Sequence, residues 1–350
     1  MTTTRIFLAP CVVLLTLGGT CVRPAPPAPS MVGSTSPAAS AAASPASAMA
    51  PAVPLSWRLP ERAVCLGSYA TPIEQGALGD ARLIEASGMV ASPGNPEVLW
   101  VHNDSGDTAR LFAIATDGHA LGTLALPNVT AVDFEDLAAG PCPDLSGPCL
   151  YVADTGDNKL RREQLVVYAV PEPQVARDHP LADNAEAPFV WIFPLVVPER
   201  ANIEALVVLP DASAMVLFEK TEAEQARVFR YAAPWTPLFP ATVEVTGRVA
   251  MPGGVGPLRQ ITGADLHPSG TRLLLRGYGA VYEVRLDAAK GVTADHLDHA
   301  ELVEAVTGPM EPQGEAVAYD ADGTGIWTVS ESPSGLAGPP LHHASCAGGS

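Results

Sequence analysis

Three glutamates, Glu135, Glu204 and Glu315, occupy matching points in short runs that read polar, then small or acidic, then apolar. The runs are Glu135-Asp136-Leu137-Ala138, Glu204-Ala205-Leu206-Val207 and Glu315-Ala316-Val317-Ala318. Ser87-Gly88-Met89-Val90 and Thr262-Gly263-Ala264-Asp265 repeat the plan with a hydroxyl in the leading place. Carboxylates and hydroxyls are hard oxygen donors, suited to Ca²⁺ or Mg²⁺ rather than Zn²⁺. If the three glutamates meet, they repel and raise one another's pKa unless a cation joins them. Otherwise they hydrogen-bond inner-strand amides and water.

Only a repeating architecture brings such distant residues together. The leading residues stand roughly 48 to 69 positions apart, and in the first four runs a proline follows: Pro93, Pro141, Pro210 and Pro268. After each run comes a turn and a second apolar strand: Val98 to Asn103, Leu150 to Asp154, Met215 to Glu219, Leu273 to Gly277 and Ile326 to Ser330. Further strand-like runs complete the first four units, for example Arg110 to Ala115 and Leu121 to Leu126. Four short antiparallel strands per unit of about 50 residues define a β-propeller blade. The expected fold is therefore all-β, a propeller of five blades, with a sixth left open. The fifth unit lacks its outer strands. Arg62 to Tyr69 is expected to close the ring as the outermost strand of the last blade.

In a propeller the leading residue opens the inner strand, and the end of the antiparallel second strand lies beside it. One channel mouth should therefore collect Ser87, Glu135, Glu204, Thr262 and Glu315 with His102, Asn103, Asp104, Asp154, Asp157, Asn158, Glu219, Lys220, Arg276, Tyr278 and Glu331. Glu135, Glu204 and Glu315 are the expected ligands of a divalent cation, Ca²⁺ by donor type, with Asn103 and Asp154 as further donors. His102 is expected to make a structural hydrogen bond.

The N-terminus reads as an export signal over residues 1–21. Arg5 precedes an apolar run, Ile6 to Leu17, and then Gly18-Gly19-Thr20-Cys21. Small residues before Cys21 suggest lipidation there, although Leu17 lies one position too early for the usual box. Residues 22–56 are nearly all Pro, Ala and Ser and read as an unstructured tether; 57–350 form the propeller domain. The remaining cysteines are even in number. Cys142 and Cys149 bracket a turn, and Cys65 and Cys346 flank the domain, so two disulfides are expected in an exported protein. There is no C-x-x-C pair to argue for metal.

Composition excludes one large class. The 350 residues carry 20 Lys+Arg against 38 Asp+Glu, a net charge of −18, which is no footprint for nucleic acid. At 47% hydrophobic and 17% charged, the chain can bury a core. No G-x-S-x-G, Walker loop or H-E-x-x-H occurs. Gly253-Gly254-Val255-Gly256 reads as a turn between blades, and Asp295-His296-Leu297-Asp298-His299 as a solvated outer loop.

The runs Trp100-Val-His-Asn-Asp-Ser-Gly-Asp, Phe134-Glu-Asp-Leu-Ala and Tyr151-Val-Ala-Asp-Thr-Gly-Asp-Asn resemble exported bacterial propellers near the calcium-dependent phytases and the gluconolactonase-like proteins. The resemblance spans about Ala86 to Glu331 and implies a divalent cation in the channel. Phosphate-clamping residues are few, only Lys220 and Arg276 at this mouth, which speaks against phytase chemistry. The expected role is an exported, monomeric binding or scaffold protein, lipid-anchored in the cell envelope or secreted, that holds a small ligand or an envelope protein. A metal-dependent hydrolase of phosphoesters or lactones is the alternative.

Overall fold

The structure is a computed structural model that describes residues 64–252, 256–286, 293–298, 300–306, 311, 313–332 and 338–348. The leader, Cys21, the tether and Gly253 to Val255 lie outside them. Runs such as Ile203–Val208 and Gly314–Tyr319 are buried at every position, as strands covered on both faces require. They form the inner strands of five blades.

Strand β1 (Ile73–Ala77) comes first in the chain but belongs to the last blade. Blade 1 is β2 (Ala86–Ala91), β3 (Val98–Asn103), β4 (Arg110–Ala115) and β5 (Ala120–Ala125). Blade 2 is β6 (Phe134–Pro141), β7 (Pro148–Asp154), β8 (Leu165–Pro171) and, after the short β9 (Ala185–Glu186), β10 (Trp191–Val196). Blade 3 is β11 (Ile203–Val208), β12 (Ala214–Glu219), β13 (Ala226–Ala232) and, after the short β14 (Ala241–Thr242), β15 (Glu244–Val249). Blade 4 is β16 (Ile261–Leu266), β17 (Arg272–Gly277), β18 (Val281–Arg285) and β19 (Leu302–Val306). Blade 5 is β20 (Gly314–Tyr319), β21 (Gly325–Ser330) and β22 (Pro340–Ser345), completed by β1. The two short strands reach back and pair in parallel with the outer strand of the preceding blade: β9 with β5, and β14 with β10.

The inner strands touch in ring order, β2 to β6 to β11 to β16 to β20 and back to β2. The apolar core lies between blades rather than within any one of them. Leu137, Trp100 and Val152 pack between blades 1 and 2, and Met89, Phe112 and Ala318 between blades 5 and 1. A blade alone therefore has nowhere to bury its faces.

Each inner strand carries one extra residue relative to its partner. In blade 3, Ile203 pairs with Glu219 and Ala205 with Phe218, leaving Glu204 as the bulge. The same slip isolates Glu135, Thr262 and Glu315, and in blade 1 it falls between Ala86 and Met89. A bulge turns its side chain out of the ordinary alternation. The leading polar residues of the repeat are these bulges.

The ring closes where the cysteines indicated, through different backbone. Blade 5 takes its third strand from β22, and the outermost strand is Ile73–Ala77, not Arg62 to Tyr69. Tyr69 makes only a single bridge, to Cys346. The reason is where β22 ends: Tyr69 lies opposite Cys346, just past Ser345, so the described residues before it have no strand to pair with, and Cys65–Cys346 fastens them there. Cys142–Cys149 staples the β6–β7 turn. Both bonds are of the kind that form and persist in oxidising compartments. Among the described residues no helix is long and apolar enough to cross a membrane.

Because Cys65 and Cys346 are 281 residues apart in sequence, their bond restrains nearly the whole unfolded domain. Replacing both by Ser should cost about 2–4 kcal/mol, read as a lower midpoint in urea unfolding; Cys142→Ser with Cys149→Ser, closing a short loop, should cost less.

Candidate functional site

The bulges bring Glu135, Glu204 and Glu315 to one mouth, with 2%, 1% and 4% of their surfaces exposed. Their environments differ. Glu204 is satisfied: Asn202 Nδ2 donates to Oε1 at 2.6 Å and Lys220 Nζ to Oε2 at 2.8 Å. The same ammonium lies 4.0 Å from Glu315 Oε1. Burial works against the Lys220 charge, but Glu204 and Glu315 outweigh it and hold the ammonium above its ordinary range. Glu315 is nevertheless pushed up to about 9, by burial first and then by Glu331.

Glu135 faces the other half of the mouth. Its carboxyl stands well above the usual range through burial, then Glu204 and Asp104. Oxygens of Asp104, Asp133 and Glu135 all lie within 4.8 Å of one another. Among the described residues no lysine or arginine pairs with any of the three. Burial, with Asp133 next, pushes Asp104 up to about 7, and its Oδ1 is buried without a hydrogen-bond partner. Asp133 is raised by burial and by Glu204. A Cβ on Gly156 would overlap Glu135 Oε1 and Asp133 Oδ2, so a side chain there would have to displace both carboxylates.

Glu331 stays beside Glu315 at the mouth and Tyr278 against Lys220, while most of the other residues expected there have their polar atoms engaged by neighbouring loops and blades. Asn103 Oδ1 accepts from the amides of Ile84 and Glu85 at 3.1 Å, and its Nδ2 donates to Arg82 O and Asp107. Asp154 accepts from the Val132 and Asp133 amides and pairs with Arg162 at 2.9 Å. Both shape the loops that carry Asp104 and Asp133. Ser87 Oγ donates to Glu135 O, and Thr262 Oγ1 to Gly314 O at 2.8 Å, so the two hydroxyls tie adjacent blades. His102 is fully buried, with Nδ1 2.9 Å from Asn103 O, and burial lowers its pKa. Arg276 pairs with Glu311 and donates to Ala316 O. Glu331 accepts from Gln313 Nε2 at 2.6 Å, and Glu219 pairs with Arg227 at 2.6 Å.

Three further residues were not foreseen. Asp133 lies in the loop just before β6, and no periodic signal marks it because the Glu135 bulge interrupts the alternation there. Glu311 sits in a loop with no repeat signature. Asp136 is wholly buried and accepts amides from three inner strands: Leu137, Leu206 and Ala264 at 2.8, 2.8 and 3.2 Å. One expectation is corrected outright: Asp295 is buried, not solvated, because Arg230 of β13 reaches it at 3.2 Å.

No model of a known protein family matches the chain, and no curated protein matches it in sequence. Among solved structures it is similar to the hydrazine synthase of Kuenenia stuttgartiensis, at 14% identity and a TM-score of 0.40, over 79% of this chain and 99% of that one. It is also similar to a candidate 6-phosphogluconolactonase of Bacteroides uniformis, at 15% identity and a TM-score of 0.32. That match covers 68% of this chain and 64% of that one, less than two thirds of its length. Neither likeness carries any activity over to this chain, so its chemistry rests on the mouth itself.

Two outcomes follow from this geometry. Gly156→Ala should destabilise by about 1–3 kcal/mol, since the added methyl meets two crowded carboxylates, and thermal unfolding will show it. In metal-free buffer the folded state holds protons on Asp104 and Glu315 that the unfolded chain releases near its ordinary carboxylate values. Stability should then fall as pH rises from about 5 to about 9, and Glu315→Gln should flatten the upper part of that decline in melting temperature.

Proposed function

We propose that this chain is an exported β-propeller whose acidic mouth holds a hard divalent cation, Ca²⁺ by donor type, and presents it to a small ligand in a binding rather than a catalytic role. Asp104, Asp133 and Glu135 would hold the ion, with Glu204 and Glu315 bordering it. The observation that carries this reading is the uncompensated half of the mouth: three carboxylates within 4.8 Å, one with a buried oxygen that nothing donates to. Donors sharing one Ca²⁺ at about 2.4 Å each cannot be more than about 4.8 Å apart, so the set fits a single ion. Leaving them unpaired costs several kcal/mol or forces protonation. Lys220 already neutralises the Glu204 side, which leaves the ion to Glu135 rather than to the middle of the three glutamates.

The binding reading is preferred to a metal-dependent hydrolase because, among the described residues, His102 is buried and Ser87 and Thr262 are spent on backbone carbonyls, so a hydrolase would have to rely on water held by the ion alone. The sequence supports an exported protein with a signal over residues 1–21 and lipidation at Cys21, followed by the tether of residues 22–56.

Calcium at a hundred times its dissociation constant should stabilise the full chain by about 2.7 kcal/mol, raising the melting temperature, and EDTA should reverse this. Glu135→Gln and Asp104→Asn should abolish the shift. No shift with Ca²⁺, Mg²⁺ or Mn²⁺ overturns the cation. Metal-dependent turnover of phosphomonoesters or lactones, lost in Glu135→Gln, replaces the binding reading with the hydrolase.

A further inference from the structure

The opposite end of the axis is built differently. There the inner strands finish around a cavity of about 80 Å³ walled by Val90, Ala139, Val208, Leu266 and Tyr319, one or more from each blade. The repeat prolines Pro93, Pro210 and Pro268 form its rim. Into this apolar sleeve the structure places one nearly buried carboxylate, Asp265, at 9% exposure. At the same point of the repeat the other four blades carry Val90, Ala138, Val207 and Ala318. Asp265 is thus a departure from an otherwise apolar ring.

Part of its role is structural. Oδ1 accepts from the Leu266 amide and Oδ2 from the Tyr319 amide, both at 2.8 Å, which joins blade 4 to blade 5. Asp136 does the same between blades 2 and 3 but takes a third amide. An ionised carboxylate has about four acceptor sites, so Asp265, with two taken, keeps more capacity than Asp136, with three taken, and it lies beside the cavity. Among the described residues no lysine or arginine lines that cavity; it is also lined by Asp320 and by His267, whose ring nitrogens lie 2.7 Å from Ser269 Oγ and 3.1 Å from Gly323 O.

Asp320 also lines a larger groove of about 610 Å³ between blades 5 and 1, which shares Ala91, Pro93 and Ala321 with the axial cavity. The groove holds Glu97, Asp117 and Asp322 as well, again with no lysine or arginine in its lining. Asp320 accepts from His343 Nε2 at 3.0 Å, and Asp117 pairs with Arg177 at its outer edge. The connected space is apolar and narrow at the axis, then wide and acidic outside.

We infer that this face binds a linear aliphatic di- or polyamine, with one ammonium at Asp265, its methylene chain between Val90, Val208 and Leu266, and a second ammonium among the groove carboxylates. The size agrees: about 80 Å³ has room for roughly five to eight heavy atoms, the scale of a butylammonium group. A cation suits the site because a buried carboxylate in apolar walls favours an opposite charge, and burial already pushes Asp265 up to about 7. Methylenes against apolar walls with a charged tip at a carboxylate is the way lysine stems bury themselves. The groove's surplus of carboxylates asks for more than one positive charge. This site is independent of the cation mouth.

Isothermal titration of the full chain with 1,5-diaminopentane, n-butylamine and n-butanol tests it. The diamine should bind at least tenfold tighter than the monoamine, and the monoamine tighter than the alcohol. Asp265→Asn should weaken the amines at least tenfold. Because that change also touches two backbone hydrogen bonds, Ala139→Met, which fills the cavity and leaves Asp265 in place, should do the same. Glu135→Gln, at the other mouth, should leave amine affinity unchanged. Failure of the diamine to bind at millimolar concentration, equal affinity for butanol, or undiminished affinity in Ala139→Met overturns the inference.

Discussion

One extra residue at the start of each inner strand governs the acidic end of this molecule. Without the bulge, period-two alternation would put Glu135, Glu204 and Glu315 in register with their flanking core residues. With it, Phe134, Ile203 and Ile261 stay in the interblade core while the next residue is released to the mouth. The residue after each bulge is then drawn close to neighbouring backbone. That accounts for Gly88, Ala205, Gly263 and Ala316: a Cβ on Gly263 would run into Glu315 O. Blade 2 departs from the pattern with Asp136, whose carboxylate is tolerated because three inner-strand amides turn toward it.

The mouth is consequently an electrostatic problem that the fold solves on one side only. Glu204 receives an ammonium and an amide; burial works against the Glu311 charge, but Arg276 together with hydrogen bonds from His342 and Thr328 outweighs it and holds the carboxyl down at about 2. Asp154 receives Arg162. The cations near the mouth are committed: Arg162 to Asp154, Arg276 to Glu311, and Lys220 to Glu204 with Glu315 4.0 Å away. What is left over is Asp104, Asp133 and Glu135, the one group of three clustered acids found among the described residues. An apolar substitute there would be cheaper for stability alone, since buried charge rarely repays its desolvation. The arrangement makes physical sense as a site completed by something positive.

Much of this was legible in the sequence because a propeller repeats its signals. The second strands are apolar runs ending in polar residues, and β3 was located at its observed ends, Val98–Asn103. The convergence of the three glutamates was legible for the same reason, as was the pairing of Cys65 with Cys346. What failed had no periodic signal. Ile73–Ala77 is mostly exposed, an edge strand held by its backbone to β22, and no alternation marks it. Asn103 and Asp154 look like ligands by type. Only the loops at Ile84 to Glu85 and Val132 to Asp133 reveal that their oxygens are already used.

The two ends of the axis also show how a repeat acquires specificity. A ring of five equivalent strands would present five equivalent residues, suited to binding something symmetric or nothing at all. Here symmetry is broken at single positions: hydroxyls replace the leading glutamate in blades 1 and 4, Asp136 replaces a small residue, and Asp265 an apolar one. The hydroxyls tie blades together at Glu135 O and Gly314 O, which removes two acids from the mouth and leaves the remaining charge lopsided. Asp265 does the same at the far end, giving an apolar ring one polar wall. The equivalent residues Ala138, Val207 and Ala318 are part of the interblade core, so Asp265 is tolerated at that point because the Leu266 and Tyr319 amides satisfy its carboxylate. The residues that break the repeat therefore also join its blades, so closure of the ring and the character of its two ends are set by the same side chains.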